Sequence, residues 1–335
     1  MKFIIMVITV LVGSAPSLVG QPAEYDVEVL LPQLSVRWSH GMAHGPDGKL
    51  FVADRDNHRV LVLEDDQVVE VFGGIGQKPG ELYRPSSLAH RDGRLAVVEQ
   101  GNFRVQIIST EGIPQSAFPV TFVNEYVALG PDDRVLLNHP ESGYLFSSYS
   151  PKGELRTQYG KLITEKEAYP GRANGSQNQT SLNRVQLQAD REGNIFAVFQ
   201  FIPLVQKWSP AGVKLWQRRL ESANIESLVK GLWEEPGGIH YSTKSVAGEE
   251  KMPVIITASC LTARGDLIVV LADQALFWIS GDGVTAGPVL PRGTARIVFH
   301  AVSEFEGTLY FASASRLYRS VGTIELAMSS ATNNP

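Results

Sequence analysis

The sequence predicts an all-β fold built from repeated antiparallel meanders, on three observations. The first is the stretch Lys49–Phe72, KLFVADRDNHRVLVLEDDQVVEVF, where the apolar runs Leu50–Ala53, Val60–Leu63 and Val68–Phe72 alternate with polar turns. Runs this short and this rich in Val and Leu are too brief for helices and suit strands joined by hairpins. The second is a series of turn dipeptides: Asp47-Gly48, Asp92-Gly93, Asp132-Asp133, Glu192-Gly193, Gly265-Asp266 and Glu306-Gly307. The third is a companion series 15 to 20 residues after the first: Asp65-Asp66, Glu111-Gly112, Lys152-Gly153, Ala211-Gly212 and Asp282-Gly283, with Val321-Gly322 as a weaker sixth. Gly, Asp and Asn recur there because tight hairpins demand positive φ.

Six units of four strands, with first turns mostly 40 to 45 residues apart, predict a six-bladed β-propeller of four-stranded antiparallel blades over residues 24–327. The wider gaps after Asp132 and Glu192 hold inserted loops. The strand Tyr25–Leu31 has no unit of its own and is assigned as the outermost strand of the last blade, closing the ring; Thr323–Leu326 competes for that place. The long links Gly73–Pro85, Gly160–Asn183 and Glu221–Pro253 all join an outer strand to the next inner one. In a ring of meanders they share a face with the turns between second and third strands. Variable loops on a rigid ring are where ligands bind, so this face is the one of interest.

Composition narrows the class. Apolar content of 43% is ample for a core, and the formal charge of −5 leaves no basic excess for nucleic acid. Lys2 and the apolar run Phe3–Val12 read as a secretory signal peptide over residues 1–20, with cleavage between Ala15 and Ala23. A run of about ten residues is too short to span ~30 Å of hydrocarbon, so stable membrane insertion after cleavage is not expected. A secreted or periplasmic protein follows. Residues 328–335 are left as a tail, and Cys260, the only cysteine, reads as a buried apolar residue.

Two of the polar turns carry a family resemblance. Val52-Ala-Asp-Arg-Asp-Asn-His-Arg-Val60, with Phe72-Gly-Gly-Ile-Gly and Pro79-Gly-Glu-Leu-Tyr-Arg-Pro85, resembles the NHL repeat, and Val97-Val-Glu-Gln-Gly-Asn-Phe-Arg-Val105 is a second copy with Phe103 in place of His58. The match is strong over Gly41–Gln106; in the third unit Asn138-His-Pro-Glu-Ser-Gly-Tyr144 replaces the acid–Asn–Arg turn. The resemblance implies a scaffold that binds protein or peptide, and RNA only when basic. His40-Gly41-Met42-Ala43 with Asp47-Gly48 and His58 is also similar to a blade of the peptidylglycine-amidating lyases, which implies a zinc site on the central channel.

The candidate site residues follow from these frames. Asp54 with Arg59, and Glu99 with Arg104, sit five apart across a tight turn, either as structural bridges or as a recurrent surface site. On the channel the candidates are His40, Ser86, Glu125, Arg184 and His300. His40 is the candidate zinc ligand, but Ser86 stands where the lyase pattern needs a second histidine. His44 cannot join His40 on one metal, since four residues of strand put them ~13 Å apart; it packs between blades. Calcium would need channel carboxylates, of which Glu125 is one. Trp233 and Tyr241, in the loop Glu221–Pro253, either anchor a ligand or fold the loop onto the ring.

The reading is an exported binding or scaffolding propeller for a protein or peptide held on the long-loop face or at the channel mouth, with no cofactor expected. The runner-up is a metal-dependent lyase or hydrolase at the channel. Metal analysis of the purified protein separates them: a metal-free, stable protein is expected, and stoichiometric zinc lost on His40→Ala would favour the enzyme.

Overall fold

The structure is a computed structural model that describes residues 24–37, 41–45, 47–120, 126–169, 179–223, 225–227, 229, 240–245, 248–292 and 297–321. The chain enters through β1 (Glu24–Tyr25) and β2 (Val27–Leu30). Blade 1 follows as β3 (Met42–His44), β4 (Leu50–Asp54), β5 (Arg59–Glu64) and β6 (Gln67–Gly73), and blade 2 as β7 (Pro85–Arg91), β8 (Arg94–Glu99), β9 (Arg104–Ser109) and β10 (Pro114–Pro119). Blade 3 holds β11 (Val127–Leu129), β12 (Val135–Asn138), β13 (Tyr144–Tyr149) and β14 (Leu155–Lys161). After the short helices α1 (Glu165–Ala168) and α2 (Gln179–Leu182), blade 4 holds β15 (Val185–Ala189), β16 (Ile195–Phe199), β17 (Leu204–Trp208) and β18 (Lys214–Arg219). The hairpin β19 (His240–Ser245) and β20 (Gly248–Pro253) precedes blade 5, made of β21 (Ile256–Leu261), β22 (Leu267–Leu271), β23 (Leu276–Ile279) and β24 (Thr285–Pro291). Blade 6 is β25 (Ala301–Phe305), β26 (Thr308–Ala312) and β27 (Leu317–Ser320), completed by β2.

The fold is therefore the all-β, six-bladed propeller of four-stranded antiparallel sheets that the turn spacing predicts. The strand assigned to closure does close the ring: β2 pairs antiparallel with β27, from Val27 opposite Ser320 to Leu30 opposite Leu317. A finer detail was not foreseen. The two residues of β1 run parallel to Leu290–Pro291 and add a fifth strand to blade 5, so one entering segment joins both of the last two blades. Thr323–Leu326, residues 1–20 and the tail lie outside the described residues. No helix among the described residues is long and apolar enough to cross a membrane.

The predicted turns adopt the left-handed backbone that their composition anticipates. Gly48 has φ 81°, Gly193 84° and Gly265 86° in the first series, and Asp65 47° and Asp66 61° in the second. The second-series glycines also serve packing. Gly112 of blade 2 lies against Phe72 on the outer strand of blade 1; Gly153 of blade 3 lies against Phe118 of blade 2; Gly283 of blade 5 lies against Trp216 of blade 4. A Cβ at Gly153 would stand 2.6 Å from the Phe118 Cβ, closer than any packed pair allows. Blades 2, 3 and 5 thus each tuck a turn under an aromatic ring of the blade before.

Within the ring both faces of the middle strands are covered. All residues of β4, β12, β16, β17 and β22 are buried, whereas β6 and β18 at the rim are mostly exposed. Cys260 is buried on β21, as read from its apolar role.

His44 takes the inter-blade position expected of it. Its ring stacks on Phe305 of blade 6 at 5.3 Å and meets Tyr310 at 4.8 Å, and its Nδ1 lies 2.8 Å from Ser303 Oγ. Burial pushes its pKa down to about 4. An unfolded histidine titrates near 6.5, so the unfolded chain takes up a proton that the native protein refuses between these values. The contribution is intact above pH 6.5 and is lost as pH falls towards 4, by about 3 kcal/mol. Urea unfolding of wild type and His44→Gln at pH 7 and pH 4.5 checks this: the wild type should lose more stability on acidification than the variant.

Candidate functional site

On the long-loop face the acid of each NHL-like turn is the organising group. Asp54 is fully buried at the end of β4 and accepts hydrogen bonds from the Arg37 backbone N–H at 2.8 Å, from Asn57 Nδ2 at 3.0 and 2.9 Å, and from Arg59 Nε at 2.8 Å. Glu99 is its counterpart in blade 2. It accepts from Tyr83 N–H at 2.9 Å, Asn102 Nδ2 at 2.6 Å, Arg104 Nε at 2.6 Å and Gln106 Nε2 at 2.7 Å. A buried carboxylate is tolerable only when its lone pairs are filled in this way. Asp54–Arg59 and Glu99–Arg104 are structural bridges.

The blade 2 clasp also holds the loop 73–85. Arg104 donates to the carbonyls of Gln77 at 2.6 Å, Lys78 at 3.2 Å and Glu81 at 2.9 Å. Asn102 Nδ2 donates to Gly76 O at 2.7 Å, and Gln106 accepts from Gly80 N–H at 3.0 Å while donating to Glu81 O at 2.8 Å. The residues next to this anchorage are apolar and open to solvent. Phe103, beside Asn102, is 52% exposed and Ile75, beside Gly76, is 68% exposed. In blade 1 the equivalent of Phe103 is His58, whose Nδ1 accepts the Arg84 N–H at 3.1 Å and whose ring packs on Tyr83. Phe103 thus replaces an internally bonded ring with an exposed one.

Blade 3 substitutes an amide for the acid. Asn138 Nδ2 donates to Leu145 O at 2.7 Å and to Asn183 O at 3.1 Å, and its Oδ1 accepts the Val185 N–H at 3.3 Å. An amide can both donate and accept, so it reaches across to the entry of blade 4, which a carboxylate could not do.

On the axis, a cavity of about 40 Å³ is lined by all six inner strands, with Met42, Ser87, Val127, Gln186, Ser259 and Ala301 among its walls. Gly41 packs directly on the backbone of Ser87 and Leu88, which brings blades 1 and 2 together here. Ser259 Oγ donates to Gln186 Oε1 at 2.7 Å, Gln188 Nε2 donates to Ser259 O at 2.8 Å, and Val127 N–H donates to Ser87 Oγ at 3.2 Å. Tyr126, also on the wall, accepts from Gln200 Nε2 at 2.8 Å through its hydroxyl.

Of the residues singled out in the sequence, His300 lines this cavity. Ser86 is buried with its hydroxyl 3.5 Å from Val98 O, and Arg184 stands at the entry to β15, where its carbonyl accepts the Gln200 N–H at 3.1 Å. Tyr241 falls in β19, paired with Met252. His40, Glu125 and Trp233 lie outside the described residues. The sequence reading missed Ser87, Tyr126, Gln186 and Ser259. A usable signal was present in Val185-Gln186-Leu187-Gln188, since glutamines alternating through a strand with both faces covered must meet something polar. The described lining offers one imidazole with amides and hydroxyls, and among the described residues no group of three or more His, Cys, Asp or Glu could hold a metal ion.

Comparison with known proteins agrees with this geometry. Residues 40–63, the inner three strands of blade 1 and their turns, match the NHL repeat. No curated protein matches the chain. Among solved structures the chain is similar to a streptogramin B lyase, with a TM-score of 0.54 and 10% identity over 88% of this chain and 96% of that one. It is similar also to a catalytically inactive variant of virginiamycin B lyase from Staphylococcus aureus with quinupristin, with a TM-score of 0.53 and 10% identity over 90% of this chain and 100% of that one. A structural genomics protein of unknown function from Bacteroides thetaiotaomicron aligns with a TM-score of 0.52 and 16% identity over 89% of this chain and 72% of that one. At these identities the likeness is one of fold.

The clasp makes a quantitative prediction. Glu99→Ala leaves the Arg104, Gln106 and Tyr83 donors without their acceptor and should cost about 3–5 kcal/mol in urea unfolding. Arg59→Ala, which removes a one-third exposed partner, should cost about 1 kcal/mol. Limited proteolysis should cut Glu99→Ala faster within Gln77–Glu81.

Proposed function

We propose that this protein is an exported binding module that recognises a protein or peptide on its long-loop face. The observation that carries the reading is the pair Phe103 and Ile75, exposed side chains flanking the Asn102–Gly76 hydrogen bond on a loop held by three carbonyl contacts from Arg104. Apolar anchors on a rigid frame lose little entropy when a partner covers them, which is the property that concentrates binding energy in a few residues. The NHL repeat in blade 1 supports the same reading, because that repeat commonly builds binding and scaffolding propellers. An axial cavity of about 40 Å³ admits only a few atoms, so the bulk of a ligand rests on the face. Export rests on the signal-like residues 1–20. Trp233 and Tyr241 belong to the third long loop and are expected to contribute from the same face.

A lyase acting at the channel is the second reading. It is supported by His300 on the cavity wall and by the propeller fold shared with the streptogramin and virginiamycin B lyases. In that reading His40 and Glu125, channel candidates from the sequence that lie outside the described residues, would be needed beside His300.

Photocrosslinking separates the faces. A photoreactive residue at Phe103 should trap a partner from the source organism's extracellular fraction, and one at Asp92 on the opposite face should not. With the trapped partner purified, Phe103→Ala should weaken binding by tenfold or more. Equal trapping at Asp92, or unchanged affinity in both Phe103→Ala and Ile75→Ser, overturns the docking face.

A further inference from the structure

The axis of the ring contains a hydrogen-bonding group that the fold does not use. Gln186 is 2% exposed and lines the axial cavity, and among the described residues its Nε2 has no hydrogen-bond partner. Its other end is committed, since Oε1 accepts the Ser259 hydroxyl at 2.7 Å. Turning the amide over would let Nε2 donate to Ser259 and would leave Oε1 over instead, so one polar end faces the cavity in either orientation. Ser87 adds a second group: its Oγ accepts the Val127 N–H at 3.2 Å and retains a proton to give. Buried polar groups are nearly always paired, because an unmade bond in the interior carries the whole desolvation penalty. A chain selected for stability alone would place Leu or Met here, as it does at Leu187 and Met42 on the same wall.

We infer that the axial cavity is a binding site for a small uncharged polar group, a carboxamide above all. Three observations set that chemistry. The described wall residues include no Asp, Glu, Lys or Arg, so an ion entering would lose its hydration against amides, hydroxyls and the single imidazole of His300. An apolar group would leave the Gln186 amide as it is. A volume of about 40 Å³ holds about three heavy atoms, which matches the carbon, oxygen and nitrogen of an amide head, with the methyl of acetamide or the methylene of a side chain left at the opening. Three inner strands reach the wall with their first residue, Met42 in β3, Val127 in β11 and Ala301 in β25, and the other three with their second to fourth, as at Ser87, Gln186 and Ser259, so the cavity lies in the half of the axis nearer the long-loop face. The chemistry rests on the cavity alone; delivery of the amide as a side chain of a docked peptide rests on the long-loop face being the docking face.

Crystals of the full chain soaked separately in acetamide, sodium acetate and the tripeptide Gly-Gln-Gly test this. Acetamide is expected in the cavity with its oxygen on Gln186 Nε2, and acetate is not. Entry of the glutamine side chain as well assigns the site to side chains, and entry of acetamide alone assigns it to free small amides; both support the chemistry. Water alone in the acetamide soak, or acetate bound as well as acetamide, overturns it. The double variant Gln186→Leu/Ser259→Ala removes both partners together. It should lose acetamide and melt at least as high as wild type, by up to a few degrees. A clearly lower melting temperature would make the pair a structural element and overturn the inference. The soak of the wild type needs no variant to fold, and the crosslinks at Phe103 and Asp92 report on the docking face independently.

Discussion

Every other feature of this ring depends on the closure of its first strand against its last. Six meanders in a row bury the faces they share, but the two terminal blades would each leave one face open. The four pairs between Val27–Leu30 and Leu317–Ser320 remove that possibility. The two residues of β1 extend the hold to blade 5 through the parallel pairing with Leu290–Pro291, through the Tyr25 hydroxyl on Gln274 O at 2.7 Å, and through Arg292 between Glu24 and Asp26. Tyr25 itself is 4% exposed, so the stitch is also part of the core. With the ring shut, six inner strands are forced into contact around one axis, and the axial cavity exists only because of that constraint.

The same geometry separates two kinds of work. Toward the rim, blades are matched by shape, with Gly112, Gly153 and Gly283 under Phe72, Phe118 and Trp216. Toward the long-loop face, they are matched by polar groups, with Asp54, Glu99 and Asn138 drawing entry segments and turns into place. The apolar contacts hold the ring and the polar ones aim its loops. Exposed Phe103 and Ile75 sit where the second kind of contact ends.

Much of this was legible in the sequence, for identifiable reasons. The turns could be read because positive φ restricts composition, and the closing strand because Tyr25–Leu31 had the alternation of a strand and no unit to belong to. The axis was harder. Aligning inner strands on Ala43 and Ala89 pairs Ser86 with His40, yet the serine on the cavity wall is Ser87. The cause is a register shift between Pro85 and Ser87 against β8. A bulge adds one residue to one strand and reverses which side chain faces the axis, and nothing in the composition of Arg84-Pro85-Ser86-Ser87 announces it. The role of Asn138 was hidden for a different reason: its replacement of an acid looks like a loss until the partners on blade 4 are seen.

The pairing of β2 with β27 has a consequence for the order in which the molecule can be made. A ribosome releases Val27–Leu30 almost first, and its partner Leu317–Ser320 nearly three hundred residues later. Until then the early strand carries an open edge of backbone donors and acceptors, the feature by which sheets recruit the wrong neighbour. Contacts this distant in sequence form slowly, so blades 1 to 5 can assemble as an open arc before the ring exists. The strand made first is the last to be used.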